Sequence, residues 1–163
     1  MGTFSSQVEI NDDVKGVKTY VMPTGVKDVV TISGSMIGGS IHCVNTNSKV
    51  AALVASMLDK GTEKKDKYEI SERLESVGAE LNFSSTRYHT HFTGFCLKNN
   101  LDTVISLLSE QLMMPRFSNS ELLTLQSRIC GNLERDKENT KKLAMIHFLR
   151  TLFPRNHPNY RET

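Results

Sequence analysis

Apolar positions along the chain recur first at strand spacing and then at helix spacing. Residues 16–25, GVKTYVMPTG, read as a short strand closed by a Pro-Thr-Gly turn. Residues 26–39 have the β-branched density of a second strand centred on Val29, Val30 and Ile32, before glycines at 34, 38 and 39 loosen the chain. The spacing then predicts a helix over 49–60, capped at its start by Asn47 or Ser48 and stopped at Gly61. In the next helix Tyr68, Ile70, Leu74 and Val77 share one side, and Gly78 closes it. Strands over 80–85 and 88–97 follow as a hairpin around Ser85, Thr86 and Arg87. Asn99 and Asn100 can cap a third helix, 101–113, whose core face is Val104, Ile105, Leu108 and Leu112; Pro115 stops it. Ser118 or Asn119 caps a fourth, 120–138, carrying Leu122, Leu125, Ile129 and Leu133, and a fifth runs over 140–153. Strands in pairs and helices in runs define an α+β fold, a two-layer sandwich of a mostly antiparallel or mixed sheet covered by helices.

A chain of 163 residues is about one domain, long enough to bury a core, and 1–163 is expected to form one, with 1–15 flexible. Its 38% hydrophobic and 23% charged residues are ordinary for a globular protein, and a net charge of +2 argues against nucleic acid or a membrane surface as partner. Acids interleave with the basic clusters at 63–67 and 134–142, as on a solvated face. Cys43, Cys96 and Cys130 are odd in number and lack a C-x-x-C pair, so they are expected to be free, reduced and mostly buried. No window approaches the ~18 apolar residues of a membrane span, and the start lacks a signal-peptide pattern. MGTFSS fits a myristoylation pattern with Gly2 as acceptor, but such short patterns arise by chance. No phosphate-binding glycine loop and no nucleophile elbow is present.

Several stretches taken together carry a resemblance. MLDKGT (57–62), LESVGAELNFSST (74–86), HTHFTGFCL (89–97), LDTVISLLSEQLMMPRF (101–117) and LFPRNHPNY (152–160) occur in the order seen in the pitrilysin–insulinase–mitochondrial processing peptidase family of inverzincin zinc metallopeptidases. In active members the helix before KGT carries H-x-x-E-H, two zinc-binding histidines and a general-base glutamate. Anchored on Lys60, Gly61 and Thr62, those positions hold Ala52, Ala55 and Ser56. The family's third ligand, a downstream glutamate, would fall near Asn132 or Leu133. Glu134 is close, but a one-residue slip on a helix turns a side chain by about 100°. Alanine offers no lone pair and serine is a poor zinc ligand. The chain thus resembles a zinc-less domain of the family, with no catalytic residue and no cofactor of its own. Zinc belongs to the family's catalytic domain.

The resemblance implies a sister catalytic domain or subunit as partner, and a peptide within a shared chamber. It also implies a piece of a larger multi-domain protein, because family domains continue through a second α/β part. That view predicts a homo-oligomer for the isolated chain, covering Leu143, Ile146, Leu149 and Phe153 and an open sheet edge. His89 and His91 form an H-x-H pair on one strand face, a weak alternative metal site that His42 could join. Otherwise Arg87, His89, His91 and Thr93 make a solvent-facing row able to touch a peptide, with Tyr88, Phe92 and Thr90 toward the core. His147 is expected half-buried and satisfied, and His157 in a packed turn. A structural core subunit, of the kind relatives supply to respiratory complexes, is a further reading. Cytoplasm, periplasm and mitochondrion are all compatible with the sequence.

Overall fold

The computed structural model describes residues 4–43, 47, 49–155, 157 and 160. Gly2 and Ser48, the expected acylation site and one expected cap, lie outside them. After a single 3-10 turn at Phe4–Gln7, strands β1 (Glu9–Asn11) and β2 (Thr19–Val21) pair antiparallel as a separate ribbon with Ile10 opposite Tyr20. All six residues are exposed. β1 falls inside the stretch expected to be flexible; three residues are too few to register as a period.

The main sheet joins β3 (Val29–Ile37), β4 (Glu80–Ser85) and β5 (His89–Leu97) in the order β3-β5-β4, antiparallel throughout. Side chains alternate across it. Val30, Ile32, Leu81, Phe83, Phe92 and Cys96 meet Ile70, Leu74, Val104, Leu107 and Leu108 in one hydrophobic core. Those helical residues belong to α2 (Lys67–Ser76) and α3 (Leu101–Met113); α1 (Lys49–Met57), α4 (Asn119–Asp136) and α5 (Thr140–Leu152) complete the chain. The expected fold class is the one observed.

The glycines of the second strand serve close packing. Gly34 lies opposite Phe92 in the β3–β5 register, and a Cβ at Gly34 would fall 2.6 Å from Phe92 Cε1, inside the ring's van der Waals surface. The ring therefore lies over the glycine, filling the space a side chain would take. A Cβ on Gly39 would come 2.5 Å from the Arg87 carbonyl oxygen, so the chain beyond β3 passes directly against the β4–β5 turn. There Ser40 N and Ile41 N donate to Thr86 O and Arg87 O at 3.3 and 2.9 Å.

Helix starts follow their caps. Asp66 and Glu69 form a reciprocal capping box on α2, with Asp66 accepting from Tyr68 N and Glu69 N. Asn47 accepts from Lys49 N, Ser118 from Glu121 N and Asn139 from Lys142 N. Asn100 precedes α3 without capping it: its Nδ2 donates instead to Val77 O at 3.1 Å, tying the end of α2 to the start of α3. Lys67 of α2 and Glu121 of α4 pair at 2.7 Å, and that bond raises the lysine pKa.

Several expected core positions turn outward. Ile105 is 44% exposed while Leu107 is 4%, because the packed face of α3 runs through Val104, Leu107, Leu108 and Gln111 and leaves Ile105 to one side. Tyr68 is exposed beneath the Lys67 ammonium, 5.0 Å from its ring centre. Leu133, Cys130 and His147 are exposed as well, since α4 beyond Ile129 and all of α5 carry no buried residue. On α5 the exposed apolar stripe is Met145, Phe148 and Leu152; Leu143, Ile146, Leu149 and Phe153 are half-buried.

Gly34→Ala is expected to cost about 1–3 kcal/mol by forcing the Phe92 ring aside. Measured by urea unfolding, the cost should shrink in a Phe92→Ala background, where the space is free. Equal costs in both backgrounds would show that the ring does not occupy that space.

Candidate functional site

α1 is the helix onto which the resemblance maps the metal motif, and it carries no histidine, cysteine or acidic residue. Ala52 is exposed, Ala55 is 1% exposed and Ser56 is half-buried on α1. α1 rests against β4 and α4, which the small Ala55 permits. The other side of α1, with Val50 and Val54 at 41% and 45%, is open among the described residues, so the helix is covered on one side rather than sandwiched. Residues 131–135 of α4, where the third ligand would fall, are exposed, and Glu134 pairs with Lys137 at 2.8 Å within its own helical turn. Two alanines and a hydroxyl cannot hold zinc, so the residues present do not fit the metal. Among the described residues no group of three His, Cys, Asp or Glu could hold a metal ion.

What the segment after α1 does contain is a buried polar lock. Thr62, fully buried, donates its hydroxyl to Glu110 Oε1 and accepts from Lys64 N and Lys65 N at 3.2 and 3.0 Å. Lys65 Nζ meets Glu110 Oε2 at 2.7 Å. Backbone bonds from Glu63 N to Met114 O and from Arg116 N to Gly61 O, each 3.0 Å, run alongside. Gly61, at φ +127°, takes a conformation that side chains disfavour. The turn between α1 and α2 is thereby fastened to the end of α3. Bonds from Lys65 and Thr62 hold the Glu110 carboxyl below the usual carboxylate range. Glu110 and Gln111, 8% and 1% exposed, fall outside the apolar face that the spacing picks out on α3, so the sequence pattern gives no sign of their burial.

On the sheet, His89 and His91 stand with ring centres 5.8 Å apart, tilted by 57°. His91 Nε2 lies 3.3 Å from Thr86 Oγ1. His91 sits between Ser35 and Ser84, and Thr93 between Ser33 and Asn82, so the middle of this face is lined by hydroxyl, amide and imidazole groups, while Val29, Phe95, Leu97 and Ile37 are exposed toward its ends. Arg87 lies in the turn before β5 rather than in the row, half-buried, with Nε lacking a hydrogen-bond partner. Tyr88 is 51% exposed rather than core, whereas Phe92 does pack inward. His42 is exposed in a 3-10 turn at Ser40–His42, and His157 stacks on Phe153 at 4.3 Å. No helix among the described residues is long and apolar enough to cross a membrane.

An α+β layer whose α1 carries no metal donor is the class these observations define. Residues 24–158 match the family model Insulinase (Peptidase family M16), and the chain belongs to that family. It is 28% identical over 94 residues to mitochondrial-processing peptidase subunit beta of Dictyostelium discoideum, covering 57% of this chain and 20% of the relative. It is 25% identical over 120 residues to ubiquinol-cytochrome-c reductase complex core protein I, mitochondrial, of Euglena gracilis, covering 74% and 24%. The matches thus span about a fifth to a quarter of those relatives. The fold matches the crystal structure of a peptidase M16 inactive domain from Pseudomonas fluorescens with TM-score 0.86 at 21% identity, over 95% of this chain and 38% of that one.

The Glu110 lock yields a pH prediction. A carboxyl whose folded pKa is depressed stabilises the fold above its unfolded pKa of ~4.3, and that stability is lost as pH falls through the lower folded value. Glu110→Gln should lose about 2 kcal/mol at neutral pH, because two charge-assisted bonds go. Its stability should also fall less steeply than the natural chain's below about pH 5. Identical acid unfolding curves would refute the lock.

Proposed function

We propose that this chain is a non-catalytic domain of an insulinase-family metallopeptidase, forming part of the wall of a peptide-enclosing chamber and packing against a catalytic partner domain or subunit. The observation that carries it is Ala52, Ala55 and Ser56 on an α1 whose following turn, Gly61 to Lys65, is fully built. The scaffold that orients a metal site stands, so the missing donors are a replacement of chemistry and not a collapse of structure. The hydroxyl- and imidazole-lined sheet face, with Arg87, His89 and His91 at one end, suits an extended peptide held by hydrogen bonds. Zinc and the general base would come from the partner.

A structural role in a larger complex is the second reading, favoured by the similarity to a core protein of ubiquinol-cytochrome-c reductase. The mitochondrial names of both relatives favour that compartment for either reading. A metal held unconventionally by His89 and His91 is the third, and two imidazoles without another donor make it weak.

Incubated with a mixed pool of flexible peptides, the chain alone should give no cleavage that a chelator abolishes. Chelator-sensitive turnover that follows the protein through purification would overturn the proposal. Replacing His89 and His91 together by Ala should leave metal content and thermal stability unchanged; loss of a stoichiometric metal would establish the third reading instead.

A further inference from the structure

Two turns meet at one end of the helical layer. Residues 61–66 close on themselves: Thr62 N donates to Lys65 O at 2.8 Å, and Gly61 bridges to Asp66. Thr62 also bridges to Pro115, flanked by the bonds from Glu63 N to Met114 O and from Arg116 N to Gly61 O. The first turn therefore lies along the link between α3 and α4 as a short ladder.

The contacts continue past the ladder. Lys67 opens α2, and its ammonium reaches Glu121 in the first turn of α4 at 2.7 Å. α4 starts from the Ser118 hydroxyl, which accepts from Glu121 N at 3.3 Å. From Gly61 the chain runs through Asp66 to Lys67, crosses to Glu121, and returns along Ser118, Phe117 and Arg116 to Gly61. That path is a closed ring, bolted to α3 by Lys65 on Glu110.

Two placements in the ring run against local preference. A lysine in the first turn of a helix stands at the positive end of the helix dipole, where an acid is favoured. Glu121 across the gap accounts for it. Phe117 has φ +44°, in the left-handed region that a bulky side chain disfavours. Such a residue persists where its surroundings hold it on both sides. Here Arg116 is held by Gly61 O and Ser118 by Glu121 N.

We propose that residues 61–67 and 114–121 form one closed brace that opens as a unit, so that the Lys65–Glu110 and Lys67–Glu121 pairs are coupled and the start of α4 is set against the end of α1. Every contact in it lies within the ring itself and needs neither metal nor partner domain. It stands or falls separately from the proposed peptidase-domain role.

Hydrogen exchange of single amides, followed by NMR on the full chain in its native state, tests it. The Glu63 and Arg116 amides, whose bonds form the ladder, should exchange faster than those of Val104 and Leu107 in the core, because the brace opens without the rest of the fold. Glu121→Lys turns attraction for Lys67 into repulsion and should speed the Glu63 and Arg116 amides by roughly fivefold or more. Lys67→Met removes the same pair without touching α4 and should act in the same direction. Coupling is reciprocal, so Glu110→Gln should speed the Glu121 amide across the ring. Independent pairs would leave the Glu63 and Arg116 amides at their natural rates in Lys67→Met, and the Glu121 amide at its own in Glu110→Gln; that result would overturn the proposal. So would Glu63 and Arg116 amides that exchange only as slowly as Val104, because the ring would then be inseparable from the core.

Discussion

One buried carboxylate sets the geometry of the helical layer. Glu110 accepts the Thr62 hydroxyl with one oxygen and the Lys65 ammonium with the other, so a turn remote in sequence is fixed to the end of α3. Without both partners the carboxylate would be buried and unpaired, which costs more than the bonds contribute. The lock fixes where α1 ends and α2 begins. α1 lies against β4, and α2 places Ile70 and Leu74 on the sheet, so the turn determines how both helices meet it. Thr62, the last residue of the KGT stretch, thus has a structural task independent of any metal.

The sheet depends on a second constraint, the close approach of β3 and β5. Phe92 over Gly34 and Leu81 against Gly94, where a Cβ would meet Leu81 Cδ2 at 2.7 Å, seat apolar side chains over bare backbone. The core face is filled by this means, and the opposite face is polar at its middle, around His91 and Thr93, with Val29, Phe95, Leu97 and Ile37 exposed toward its ends. That division makes one side of the sheet a hydrophobic platform for α2 and α3 and the other a mixed, solvent-facing surface. The lock and the platform together preserve a metallopeptidase scaffold in a chain whose α1 lacks metal donors.

The periodic elements were legible in sequence because their signals are local. The β-branched run of β3, the hairpin of β4 and β5, and the limits of α3 and α5 agree with expectation within a residue or two, β3 beginning later than its first apolar positions. What was not legible depends on partners distant in the chain. Glu110 and Gln111 look like a solvated helix face until the turn from α1 is folded over them. Asn100 looks like a cap until the Val77 carbonyl is brought within its reach. Tyr68, Ile105 and Leu133 look like core until neighbouring helices fail to cover them. At the candidate site, the KGT anchor points to Ala52, Ala55 and Ser56, whereas the side of α1 left open could be seen only in three dimensions.

On the proposed reading α1 has the place of a metal helix without its donors. Zinc titration of the natural chain beside variants that carry Ala52→His and Ser56→His together with either Asn132→Glu or Leu133→Glu on α4 tests this most directly, because two imidazoles need a third donor. Positions 52 and 56 have room, one exposed and one half-exposed, and they are four residues apart on a single helix face. No saturable zinc binding is expected of the natural chain at micromolar concentration, and a new one-to-one site is expected in one of the triple variants that folds like its parent. Stoichiometric binding by the natural chain, or two folded triple variants that both gain none, would contradict that reading.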